Sequence, residues 1–222
     1  MNMSLSQKFI VCVLAQRGYF NGYDSLLVYG LVSAALIELQ DEEAVVVWDK
    51  YAKVVGAFPD GAPWLKKTYE SLSDPMNECQ ISNTIRRLYS PLLTDKRFRA
   101  TLAEYLAPLE EDGVIRKGKG LGLLRKTYVV SPCVSDRMRQ DIEAQIESRR
   151  FEDAELLTLI LLLRHSKLIR AMTPHVKAGE LKDFCKRIDE IESGPVGVAL
   201  KRNRDVISSV SFSMSFLGGG LL

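Results

Sequence analysis

Leu156-Leu-Thr-Leu-Ile-Leu-Leu-Leu163 is the run that decides the fold. Wound at 3.6 residues per turn, it is apolar on every side, with Thr158 as its single exception. A helix of that kind is covered by other elements all round, so it marks the centre of a helical domain. The run is far shorter than the ~18 residues a membrane span requires, and Ala34–Leu39, the other long apolar run, is shorter still. Charged residues bound it on both sides, Glu152-Asp153 before and Arg164-His165 after, and the helix is expected over about 152–170.

Outward from this centre the chain reads mostly as helix. Ser4 or Ser6 caps a first helix to about Arg17, which Gly18 ends, and Asp24 caps a second to about Gln40. Leu27, Leu31, Ala34, Ala35 and Leu39 follow helical spacing, so the second helix belongs to the core. Ala44–Trp48 and Lys53–Ala57 are β-rich on either side of Asp49-Lys50 and read as a small hairpin. A short helix from Trp64 to about Ser71 stops near Asp74-Pro75, and a polar helix over Glu78–Tyr89 is interrupted by Ser90-Pro91. Asp95–Asp112 carries Phe98, Leu102, Leu106 and Leu109 at three- and four-residue steps, with a kink or a boundary expected at Pro108. Pro132 breaks the chain, and Ser135 caps a helix to about Arg150. Two more helices follow, over about 174–191 and from Val196. There is no internal repeat or linker, so residues 1–222 are expected to form one mainly α domain around a central apolar helix, with two short β-hairpins.

The second hairpin is Gly113-Val-Ile-Arg-Lys-Gly-Lys-Gly-Leu-Gly-Leu-Leu-Arg-Lys-Thr-Tyr-Val-Val130. Arg116, Lys117, Lys119, Arg125 and Lys126 surround a glycine turn bearing Leu121, Leu123 and Leu124, and no acid is present. Apolar tips ringed by cations suit an anionic membrane surface, where leucines enter the acyl boundary and Lys and Arg stay among head groups. The plainer reading is a surface hairpin whose leucines fold back on the core. Gly113–Lys119 also satisfies G-x-x-x-x-G-K, but Gly120 follows where a phosphate loop needs Ser or Thr, and the order of strand and helix is reversed.

Net charge is +2 and 46% of residues are hydrophobic, which fits a domain with a real core and does not mark a nucleic-acid binder. Locally, Arg86, Arg87, Lys96, Arg97 and Arg99 oppose Asp95 alone, while acids gather at 38–43, 104–112 and 152–155. Cys12, Cys79, Cys133 and Cys185 are scattered without a C-x-x-C pair, which favours buried thiols in a reducing, cytoplasmic compartment. Lys8 followed by Phe9–Ala15 is at the short limit of a signal peptide, without a small-x-small site after it. Catalysis has little support. His165 and His175 are not at metal-ligand spacing, and no G-x-S-x-G elbow occurs. No enzyme activity, metal or cofactor is expected.

Four segments resemble the Golgi phosphoprotein 3 family in order. They are Val32-Ser-Ala-Ala-Leu-Ile-Glu-Leu39, Glu110-Glu-Asp-Gly-Val-Ile115, Leu157-Thr-Leu-Ile-Leu-Leu-Leu-Arg-His-Ser166 and Lys186-Arg187-Ile188. The resemblance spans about 5–217. It implies a peripheral membrane protein that binds phosphatidylinositol 4-phosphate in a shallow basic pocket. It also implies an adaptor for client membrane proteins, with a hairpin used in membrane insertion or self-association. The family's pocket tryptophan falls at Tyr23, and one of its arginines at Arg99; two others fall at Val32 and Leu102. Arg86, Arg87, Lys96 and Arg97 are the nearby cations that could take their place.

The reading is therefore a peripheral protein on an anionic lipid or phosphoinositide head group, with the cations of the hairpin and of Arg99 sharing one side. The alternative is an interaction scaffold without specific lipid recognition, forming homo-oligomers through residues 113–130. A DNA-binding wing is disfavoured, because the helix before the hairpin ends in acids, Glu104–Asp112.

Overall fold

Ser4 opens the first helix by a reciprocal cap: its Oγ accepts from the Gln7 amide at 3.4 Å, and its own amide donates to Gln7 Oε1 at 3.1 Å. The computed structural model describes residues 3–20, 24–89, 91–118 and 127–218. Helix α1 (Leu5–Arg17) ends at Gly18, whose φ of 69° lets its amide turn back to the Leu14 carbonyl at 2.7 Å. Helix α2 (Ser25–Asp41) is capped by Asp24, which accepts from the Leu26 amide at 3.1 Å. The two helices run antiparallel. Glu38, near the end of α2, accepts from the Ser6 amide at the start of α1 at 2.5 Å, and Arg17 at the end of α1 pairs with Asp24 before α2.

Strands β1 (Val45–Trp48) and β2 (Tyr51–Val54) form an antiparallel hairpin in the register Val45↔Val54 to Trp48↔Tyr51. The second strand starts at Tyr51 rather than at the expected Lys53, because Asp49, with φ 47°, completes a two-residue turn with Lys50. A 3₁₀ turn, Pro63–Leu65, leads into α3 (Lys66–Ser73). The continuous helix expected over 78–89 is not formed. Glu78 and Cys79 take φ of 50° and 59°, and their neighbourhood bonds β2 instead: the Ala52 amide donates to the Cys79 carbonyl at 2.8 Å, and the Ile81 amide to the Lys50 carbonyl at 3.0 Å. Only α4 (Ile81–Thr84) and a π-helical turn, Ile85–Tyr89, remain.

Helix α5 (Pro91–Glu111) begins on a proline and contains Pro108. Strands β3 (Ile115–Lys117) and β4 (Tyr128–Val130) form the base of the second hairpin. Helix α6 (Pro132–Ser148) starts at Pro132, earlier than expected; the residue read as a breaker sits in the first turn, where its missing amide costs nothing. Helix α7 (Ala154–His165) stops five residues short of the expected Arg170, since Lys167 adopts φ 57° before the short α8 (Ile169–Met172). Helices α9 (Ala178–Glu190) and α10 (Gly194–Gly218) complete the fold.

The architecture is mainly α with two small hairpins. Leu157 to Leu163 are all at most 1% exposed, so α7 is the covered helix at the centre; α1, α2, α8 and α10 pack on it. Full burial of each Leu or Ile here contributes about 1.5–3 kcal/mol. The Thr158 hydroxyl is itself satisfied in this centre: it donates to the Ala154 carbonyl at 2.7 Å and accepts from Asn203 Nδ2 at 2.9 Å. Among the described residues no helix is long and apolar enough to cross a membrane.

Candidate anion-binding end

Three contacts bring separate parts of the chain to the end of the α1–α2 pair where α1 stops. The Tyr128 amide donates to the Gly18 carbonyl at 2.6 Å, tying the base of the basic hairpin to the end of α1. The ring of Phe20 lies 6.2 Å from that of Phe98 on α5, the residue before Arg99. Arg17 Nη1 donates to Asp24 Oδ2 at 2.6 Å, closing the corner between α1 and α2. The chain on both sides of Tyr23 is thus anchored at this end, while Tyr23 itself lies outside the described residues.

Helix geometry sorts the cations of α5. Arg99, Ala103, Leu106 and Glu110 follow i, i+4, i+7, i+11 and form one stripe. Lys117 of β3 pairs with Glu110 at 3.1 Å, so Arg99 and the hairpin base share a flank of α5, about 16 Å apart along its axis. Lys96 is three residues before Arg99 and joins that face, exposed as Arg99 is. Arg97 is also exposed but stands about 160° around the helix from Arg99. That opposite flank is where α3 lies: Lys67 pairs with Glu104 at 2.8 Å and donates to the Ala100 carbonyl at 2.9 Å.

Arg86 and Arg87 are exposed on the π-helical turn. Arg87 is engaged by Asp74 just past α3, and its guanidinium holds the Asp74 carboxyl below the usual range. The structure therefore groups Arg99 with Lys96 and the hairpin base, and sets Arg97 and Arg87 apart from them. Val32 is fully buried and Leu102 is 9% exposed, so neither position faces solvent.

On the hairpin, Ile115, Tyr128 and Val130 face the core, and Arg116 opposite Val129 faces outward, both exposed. At Gly118, just past β3, an added Cβ would sit 2.7 Å from the Thr127 side-chain Oγ1, so a larger residue there needs that hydroxyl to turn away. Burial pushes the Tyr128 phenol up, the Glu110 charge adds to this, and Lys117 opposes it. The tip residues Lys119, Leu121, Leu123, Leu124, Arg125 and Lys126 lie outside the described residues.

In the sequence Arg17 reads only as the end of a helix and Asp24 only as a cap. The missed signal was their spacing: the last turn of one helix and the cap of the next, seven residues apart, must meet across so short a corner. Elsewhere, a hollow of about 220 Å³ on α9 sets Arg149, Lys186 and Arg187 against Glu180, Asp183 and Glu190. Its charges balance, so it has no excess of cations with which to hold an anion. Among the described residues no group of three His, Cys, Asp or Glu side chains is placed to hold a metal ion. The Cys12 thiol is pushed up to about 12 by burial, which leaves it unreactive as a nucleophile.

No curated protein matches the chain. The family model for Golgi phosphoprotein 3 (GPP34) matches residues 5–208, from the first turn of α1 into the second half of α10. The chain with this central helix and this basic hairpin base therefore belongs to the Golgi phosphoprotein 3 family.

Proposed function

We propose that this protein binds the phosphorylated head group of an anionic lipid, a phosphoinositide such as phosphatidylinositol 4-phosphate, and works as a non-catalytic adaptor on the cytoplasmic face of a membrane. The observation that carries the reading is the convergence of Arg99, Lys96 and the hairpin base on one flank of α5, beside the corner that Arg17 and Asp24 close. Guanidinium groups match a phosphate monoester in geometry, and each basic residue near an anionic surface contributes about 1 kcal/mol. In this reading the leucines of the hairpin tip enter the acyl boundary while Arg116 and its neighbours stay with head groups.

Liposome co-sedimentation tests it. Wild-type protein should pellet with phosphatidylcholine vesicles containing phosphatidylinositol 4-phosphate and stay in the supernatant with phosphatidylcholine alone. Arg99→Glu should weaken the first by about tenfold or more, since it removes one cation and adds one anion at about 1 kcal/mol each. An equal pellet on neutral and anionic vesicles refutes the proposal.

A further inference from the structure

We propose that Arg17 is a phosphate-binding cation of this end, and that Asp24 is a built-in anionic competitor that limits its affinity. The proposal rests on the reading of this end as a head-group site.

Asp24 is the fixed member of the pair. Its Oδ1 accepts from the Leu26 amide at 3.1 Å as the cap of α2, while its Oδ2 takes Arg17 Nη1 at 2.6 Å. Losing the cap contact would leave an amide of the first turn of α2 without a partner, so the carboxylate stays where it is. Arg17 is the adaptable member. It ends α1, where the negative end of the helix dipole favours a cation, and its side chain is 33% exposed. One terminal nitrogen, Nη1, is engaged by Asp24. A guanidinium has five N–H donors, so one contact to Asp24 does not exhaust its capacity to hold a phosphate.

Its position suits that ligand. The next residue, Gly18, bonds the hairpin base, and two residues further on Phe20 packs on Phe98, beside Arg99. Arg17 thus stands at the corner between the two other cationic elements. Asp24 partly neutralises it there, so an incoming phosphate must compete with a carboxylate already in contact. The opposing view is a purely structural ion pair that clamps α1 to α2. The two views differ in sign for one substitution. Asn is as good a helix cap as Asp, so Asp24→Asn keeps the cap and removes only the charge.

The experiment measures the partition of the full chain onto phosphatidylcholine vesicles with and without phosphatidylinositol 4-phosphate. Wild type, Asp24→Asn, Arg17→Gln and the double variant are compared, each checked by urea denaturation. Inorganic phosphate is added in a parallel arm to separate recognition of the phosphate itself from recognition of the lipid surface. Asp24→Asn should bind about fivefold tighter, and Arg17→Gln about fivefold weaker, each equal to about 1 kcal/mol. The double variant should match Arg17→Gln, because the competitor acts only through Arg17. Arg17→Lys replaces Arg17→Gln if the latter fails to fold; it keeps the charge, loses the planar fork, and should fall between wild type and the predicted loss. Binding by wild type that Asp24→Asn leaves unchanged or weakens overturns this inference and leaves the head-group reading standing. Equal partition of wild type onto both vesicles overturns both.

Discussion

Gly30→Ala should destabilise the protein, although alanine is the better helix residue. Gly30 lies in the interior of α2, where the exchange by itself favours folding by about 1 kcal/mol. The structure opposes it. A Cβ at Gly30 would sit 2.2 Å from Phe9 Cζ, 2.7 Å from Phe9 Cε2 and 2.6 Å from Ser166 Oγ. Carbon atoms rest about 3.5 Å apart at the closest comfortable distance, so the overlap with the ring is about 1.3 Å. Phe9 is fully buried and cannot swing into solvent. Ser166 Oγ also donates to the Leu26 carbonyl at 3.0 Å, so moving it costs a partly buried hydrogen bond of about 1 kcal/mol. With about 1–3 kcal/mol for overpacking, the net loss is about 1–3 kcal/mol. Urea denaturation of wild type, Gly30→Ala, Phe9→Leu and the double variant measures it. Phe9→Leu removes the far edge of the ring and should cost about 1 kcal/mol alone. The double variant should lose less than the sum, with a coupling of about 0.5 kcal/mol or more. A Gly30→Ala protein as stable as wild type, or strict additivity, refutes the claimed approach of α1 to α2.

Two further outcomes follow from the same helix pair. Gly18→Ala should cost about 1 kcal/mol by a different route: its φ is 69°, yet the nearest atom to a new Cβ is the Tyr128 carbonyl oxygen at 3.8 Å, so the cost is backbone strain without a clash, and Phe9→Leu should not rescue it in the same denaturation series. Burial raises the carboxyl of Glu38 above its usual range, against the Ser6 amide and Trp64 Nε1 that donate to it, so the native state holds this proton more tightly than the unfolded chain. Stability should therefore fall as pH rises from about 4.3, the ordinary glutamate value, through the raised native one. Glu38→Gln should flatten that decline in urea midpoints taken across the acid range, leaving a smaller slope of the same sign from Asp41, which burial also raises against its Arg202 partner. An unchanged slope would show that Glu38 is not the group responsible.

Elements with one dominant signal were legible in the sequence. The run in α7 reads as a covered helix, and burial bears this out from Leu157 to Leu163, with Leu156 at its start only partly buried. Asp24 fixed the start of α2, and of the two serines that could cap α1 it is Ser4 that satisfies the amide. The errors came where a local preference met a tertiary competitor. Residues 78–80 have a helical pattern, but the edge of β2 offers their neighbours hydrogen bonds, and the chain turns left-handed at Glu78 and Cys79 to reach them. Pro132 is a breaker within a helix and a good starter at its first turn; the sequence does not say which until the end of β4 is placed.

The candidate site shows the same limit in electrostatic form. A run of cations in sequence is not a cluster in space. Lys96, Arg97 and Arg99 are near neighbours along the chain, yet α5 divides them between two flanks, and only the register of its apolar stripe decides the division. Charge is also consumed by acids on other elements, Asp74 on Arg87 and Glu110 on Lys117. The converse holds at Arg17. No basic run surrounds it, but the Gly18 turn and the Phe20–Phe98 contact set it beside the cationic flank of α5 and the hairpin base. What assembles this end is therefore the apolar packing of α1, α2 and α5, which is set by burial and indifferent to charge. Substitutions in that packing, Phe20→Ala or Phe98→Ala, should weaken anionic-vesicle binding without touching a single cation, whereas the same truncation at Phe151, stacked on Phe184 by α9, should cost stability and leave vesicle binding unchanged.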